Sequence, residues 1–113
     1  MPNPQHLAIL GAGPTGLEAA LAAVDAGLPF TLYEAAPHAA GHVRAWGHVR
    51  LFTPWEMNVS PRMRRHLDAA GVGAPDGSAT PTGGELADRL LAPVAALPSV
   101  APQLRLGTRV VGI

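Results

Sequence analysis

The sequence predicts an α/β protein built on a parallel, doubly wound sheet. Three observations carry this: a short apolar run that ends in glycines spaced G-x-G-x-x-G, an amphipathic segment directly after them, and a second strand-like run that ends in an acid. The 113 residues allow one domain or part of one, and residues 1–113 are read as a single partial domain.

Gln5 to Leu10 is short and mostly apolar, which suits a strand buried on both faces better than a helix. From Thr15 to Ala26, Leu17, Ala20, Leu21 and Val24 recur at helical spacing on one stripe, and Gly27 supplies the stop. Leu28 to Glu34 is rich in aromatic and branched residues and reads as the second strand, completing a βαβ-type start. Ala35 to Ser60 shows no sustained period and reads as a long loop over 35–60 with short helical turns. Trp46, Phe52 and Trp55 are too apolar to be left in water, so the loop is expected to pack. Pro61 to Ala70 reads as a short helix between a proline start and Gly71. Gly71 to Pro81 reads as a linker. Thr82 and Glu85 have the form of a capping box, with Leu86, Leu90, Val94 and Leu97 following at helical spacing. Pro93 lies inside that helix and is expected to kink or end it near Ala92. Gln103 to Leu106 and Thr108 to Ile113 are strand-like, divided by Gly107.

Composition narrows the chemistry. Eight basic residues, all arginine, balance eight acids to zero net charge, so no broad electrostatic surface invites nucleic acid or anionic lipid. Cysteine is absent, which removes disulfide, thiolate-metal and thiol-redox chemistry from these residues. Redox chemistry must come from a cofactor. Glu18 interrupts the apolar start, and no positive residue precedes Arg44, so neither a secretory leader nor a membrane span is expected and a cytoplasmic protein is. His42 and His48 lie in a repeated GHVR, with no carboxylate at ligand spacing, and no metal site is expected. Ser60, Ser78 and Ser99 stand in no nucleophile motif, so the catalytic residues are unknown.

Gly11, Gly13 and Gly16 follow a strand and open a helix, the context in which their spacing acquires meaning. Gly11 permits the tight turn, Gly13 lets a pyrophosphate approach the backbone, and Gly16 lets helix and strand pack closely. Pro14 and Thr15 stand in the first helical turn, whose free N–H groups and dipole favour an anion. Glu34, about 20 residues on, would accept hydrogen bonds from the ribose hydroxyls of a dinucleotide and repel a 2′-phosphate.

The run LAILGAGPTGLEAALAAVDAGLPFTLYE resembles the FAD-binding N-terminus of flavoproteins with two dinucleotide-binding domains, the group of flavin-containing monooxygenases and pyridine nucleotide-disulfide reductases. WGHVRLFTPWEMN and TGGELADRLLAPVA are similar to stretches in a branch of FAD- or NAD(P)-binding oxidoreductases. The resemblance implies a Rossmann-like fold, FAD as cofactor and NAD(P)H as co-substrate of a longer parent protein. It further implies that Arg44 reaches the pyrophosphate or adenine, that Trp46 faces the flavin, and that backbone groups of Thr108 to Val110 touch the adenine. The rest of the site would then come from a C-terminal portion or a second subunit, and these residues alone would be inactive. An NAD-binding dehydrogenase domain and a non-catalytic dinucleotide-binding module remain alternatives.

Overall fold

A computed structural model describes residues 5–112. β1 (Leu7–Leu10) and β2 (Phe30–Tyr33) pair in parallel, Leu7 opposite Phe30 and Leu10 opposite Tyr33, and the helix α1 (Pro14–Ala26) crosses between them. A two-residue β3 (Leu104–Arg105) pairs in parallel with the other side of β2, giving the order β1-β2-β3. Gly27, at φ +67°, ends α1 in the left-handed conformation that glycine adopts without steric cost.

One face of the sheet is built by alternation. Phe30 and Leu32 of β2 are buried against Leu17, Ala20 and Leu21 of α1, and each fully buried leucine contributes about 1.5–3 kcal/mol. β1 departs from the expectation of a strand buried on both faces: Leu7 is 38% and Leu10 52% exposed. The reason is topological, because β1 is an edge of this sheet and α1 covers only one face.

The long loop carries two short helices, α2 (Gly41–Ala45) and α3 (Trp55–Asn58). Its backbone is fastened to the linker beyond the next helix: Leu51 N–H bonds to Pro81 C=O at 2.9 Å, Trp55 N–H to Ala79 C=O at 3.0 Å, and Gly83 N–H to Val49 C=O at 2.9 Å. Trp55 is buried with the Arg89 guanidinium 5.0 Å above its ring, and Trp46 is half-buried over Gly83, where a Cβ would come within 2.6 Å of the indole. Phe52 does not follow them. It is fully exposed, because the bonds of Leu51 and the Thr53–Asn58 pair fix the backbone on either side and leave its ring turned outward.

α4 (Pro61–Ala69) begins at Ser60, whose Oγ accepts from Met63 N–H at 3.0 Å. Met63 and Leu67 bury one face of it, and its basic face meets the acids of α1. Asp25 receives Arg65 at 2.6 Å, His66 Nε2 at 2.8 Å and Arg62 at 2.9 Å, while Arg62 also reaches Glu18. Hydrogen bonding from Arg65, reinforced by His66 and Arg62, holds the Asp25 carboxyl well below the usual carboxylate range. A lowered carboxyl stabilises the fold fully above the unfolded value, near pH 4, and progressively less as pH falls below it. Acid titration of unfolding by circular dichroism is therefore expected to show stability declining below about pH 4, with a shallower decline in Asp25→Asn. An identical acid limb in the variant would show that the network does not couple to folding.

The capping box forms: Thr82 Oγ1 accepts from Glu85 N–H at 3.1 Å and Glu85 accepts from Thr82 N–H at 2.9 Å, opening α5 (Gly83–Leu86). The helix does not end near Ala92. It widens into a π-turn over Ala87–Leu91, in which Ala92 N–H bonds to Ala87 C=O, and then continues through Pro93 as α6 (Ala92–Ala95). A proline ring collides with the carbonyl four residues back, here that of Arg89, and a turn one residue wider relieves the collision without breaking the helix.

The tail departs most from expectation. Gln103 closes a 3₁₀ turn (Ala101–Gln103), strand pairing lasts only through Arg105, and residues 108–112 form no strand; Ile113 lies outside the described residues. The chain instead turns at Gly107 (φ +59°) and hooks around Glu34, whose N–H bonds to Arg105 C=O and whose C=O accepts from Thr108 N–H, both at 2.9 Å. Once β2 has ended, no parallel partner remains for the tail to extend along.

Candidate dinucleotide site

The site is assembled at the carboxyl ends of β1 and β2, where parallel α/β sheets bind ligands. Gly11, at φ +96°, donates its N–H to Tyr33 C=O at 2.7 Å and turns the chain out of β1. A Cβ on Gly16 would overlap the Gly11 carbonyl oxygen, so the first turn of α1 rests directly on the backbone of the glycine turn. Gly13 is the N-cap, and a Cβ there would meet nothing within 4 Å. Pro14 and Thr15 are exposed on the first turn, no acid stands in it, and among the described residues no side chain caps this end. The N-terminus of a 13-residue helix thus faces open space with uncapped N–H groups, the arrangement that receives a phosphate.

Glu34 is bonded to the same glycine turn. Its Oε1 accepts from Ala12 N–H at 2.8 Å and its Oε2 from Ala36 N–H at 2.9 Å. Each oxygen retains further acceptor capacity for a ribose hydroxyl. The carboxylate therefore also fastens the glycine turn, a role that the sequence did not disclose.

A cleft of about 350 Å³ opens between Gly11, Tyr33, Glu34 and the segment Thr108, Arg109 and Val110. Gly11, Glu34 and Val110 line it; Gly13, Pro14, Thr15, Gly16 and Arg44 do not, the first four following Gly11 into the start of α1. Arg44 stands one helical turn beyond Ala40, whose N–H bonds to Ala12 C=O at 2.8 Å. Its guanidinium pairs with Asp88 at 2.6 Å, and its buried Nε has no partner among the described residues. Trp46 is not in the cleft lining; its ring lies against Gly83. Sequence reasoning missed Arg109, whose only signal is its place between Thr108 and Val110.

A family model covers this same stretch. The model of the NAD(P)-binding Rossmann-like domain matches residues 9–68, which contain the glycine turn, α1, β2 and Glu34. L-amino acid oxidase Lm29 of Lachesis muta and an L-amino-acid oxidase of Bothrops pauloensis are each 39% identical over 59 residues, 52% of this chain and 11% of theirs. Among solved structures, an oxidized steroid monooxygenase bound to NADP superposes over 93% of this chain with a TM-score of 0.67 and 22% identity. OTEMO in an FAD-bound form superposes over 96% with a TM-score of 0.71 and 22% identity. This chain covers 20% of each of those structures. With more than half of its length matched and a parallel sheet wound around a bare helix N-terminus, the chain belongs to the NAD(P)-binding Rossmann-like domain family.

Proposed function

We propose that the chain is the FAD-binding part of a flavin-dependent NAD(P)H oxidoreductase of the monooxygenase or amino-acid-oxidase kind. The observation that carries the reading is the open space at Gly13, at the uncapped end of α1 and next to Ala12, whose N–H the Glu34 carboxylate accepts. The space a Cβ would take is free, as the approach of a pyrophosphate requires. The N–H groups of the first turn of α1 hold the phosphates, Glu34 holds the ribose diol, and the segment through Val110 borders the adenosine. The resemblance gives Arg44, here paired with Asp88, to the pyrophosphate and Trp46, whose ring lies against Gly83, to the flavin. Bound there, the flavin supplies the electron transfer, and this chain supplies binding and orientation. The names of the relatives favour FAD over NAD at this first glycine motif, because they are oxidases and an FAD-bound monooxygenase. The remaining walls of the flavin site come from chain beyond these residues or from another subunit. Among the described residues no helix is long and apolar enough to cross a membrane. We place the protein in the cytoplasm, where NAD(P)H is at hand.

Titration with FAD, followed by absorbance and thermal shift, tests the reading; a protein that neither shifts nor carries flavin refutes it. Glu34→Gln replaces one acceptor by a donor, so it weakens the diol contact and strands either Ala12 N–H or Ala36 N–H. The expected result is an affinity loss of about tenfold together with about 1–2 kcal/mol of lost stability. Unchanged binding would remove Glu34 from the site.

A further inference from the structure

Arg109 lines the same cleft as Glu34 and, among the described residues, has no ion pair, hydrogen bond or aromatic partner. The other arginines are each engaged by a carboxylate, a backbone carbonyl or the Trp55 ring. The backbone that presents it is fixed at the preceding residue: Thr108 N–H bonds to Glu34 C=O, and Thr108 Oγ1 bonds to Leu106 C=O at 3.0 Å. Arg109, exposed and without a partner among the described residues, thus lines the same cleft as the carboxylate expected to bind the ribose.

We infer that Arg109 is a specificity-determining residue that lays its guanidinium plane against the adenine base of the bound dinucleotide, an inference that rests on the reading above. Two ligand groups suit an arginine at this place, a 2′-phosphate and a planar base. Glu34 shares the cleft and repels the phosphate, whereas a neutral base between the two charges is favoured by stacking on the guanidinium. The apolar side chains of Leu10 and Val110, which also line the cleft, suit the face and edge of a purine and offer nothing to an anion.

The test uses the protein freed of bound nucleotide, titrated with ADP, pyrophosphate and adenosine 2′,5′-bisphosphate. Arg109→Ala and Arg109→Lys are both expected to weaken ADP about tenfold, since lysine keeps the charge and lacks the plane. Pyrophosphate affinity and melting temperature are expected to stay at wild-type values, and wild type is expected to prefer ADP to the 2′-phosphorylated probe. Full ADP affinity in Arg109→Lys overturns the stacking role, as does equal loss for pyrophosphate or a preference for the 2′-phosphate. Wild-type binding of ADP that Arg109→Ala leaves unchanged overturns this inference alone. A wild type that binds neither ADP nor pyrophosphate overturns it together with the dinucleotide reading.

Discussion

Gly16→Ala is expected to destabilise the fold by on the order of 3 kcal/mol or more, enough to leave a small domain largely unfolded. The added methyl group would overlap the Gly11 carbonyl oxygen, and that atom belongs to backbone, so no rotamer change removes the conflict. Nor can the turn retreat easily, because Gly11 N–H is bonded to Tyr33 C=O and Ala12 N–H to Glu34. Lifting α1 instead would uncover Leu17, Ala20 and Leu21, which form its contact with the sheet. Urea unfolding followed by circular dichroism measures the effect. A midpoint within 0.5 M of wild type, on the order of 1 kcal/mol for a domain of this size, would mean that helix and turn are not packed as described.

Gly13→Val is expected to do the opposite: retain the fold and lose the ligand. The residue is an N-cap in extended conformation, φ −94° and ψ −165°, which valine adopts readily, and its Cβ would point into open space. The loss of a favoured N-cap costs about 1 kcal/mol. The branched side chain would occupy the path by which a pyrophosphate reaches the helix N-terminus, and FAD affinity is expected to fall about a hundredfold, the equivalent of roughly 2.7 kcal/mol. Paired urea melts and FAD titrations of the two glycine variants separate folding from binding at positions three residues apart. Wild-type FAD affinity in Gly13→Val would place the phosphates elsewhere.

What the sequence made legible was local. The glycine spacing, the apolar stripe of α1, the Gly27 stop and the Thr82–Glu85 box each depend on residues within one or two turns of one another, so their types and intervals suffice. The errors arose where distant partners decide. Thr108 to Ile113 has strand-like composition, but a strand needs a neighbour, and 108–112 instead folds back onto the backbone of Glu34. Leu7 and Leu10 read as buried because they are leucines, while their exposure is set by what pairs with β1. Pro93 announced a disturbance in its helix, yet nothing in the sequence distinguished a kink from a widened turn. In the site, Glu34 was legible by position, whereas its bonds to Ala12 and Ala36 N–H depend on how two separate turns close around it.

The π-turn at Ala87–Leu91 gives two adjacent side chains different destinations. Asp88 grips Arg44 on α2, while Arg89 covers Trp55 on α3, so one local widening holds both ends of the long loop. A π-turn amounts to a single residue inserted into an α-helix, and removing one residue leaves the flanking turns in phase. Leu86 and Val94 would keep their phase, but the buried Ala87, Leu90 and Leu91 would shift and the Pro93 ring would again meet the carbonyl four residues back. The length of this helix therefore couples the setting of the long loop to the core beneath it, and a change of one residue there would disturb both.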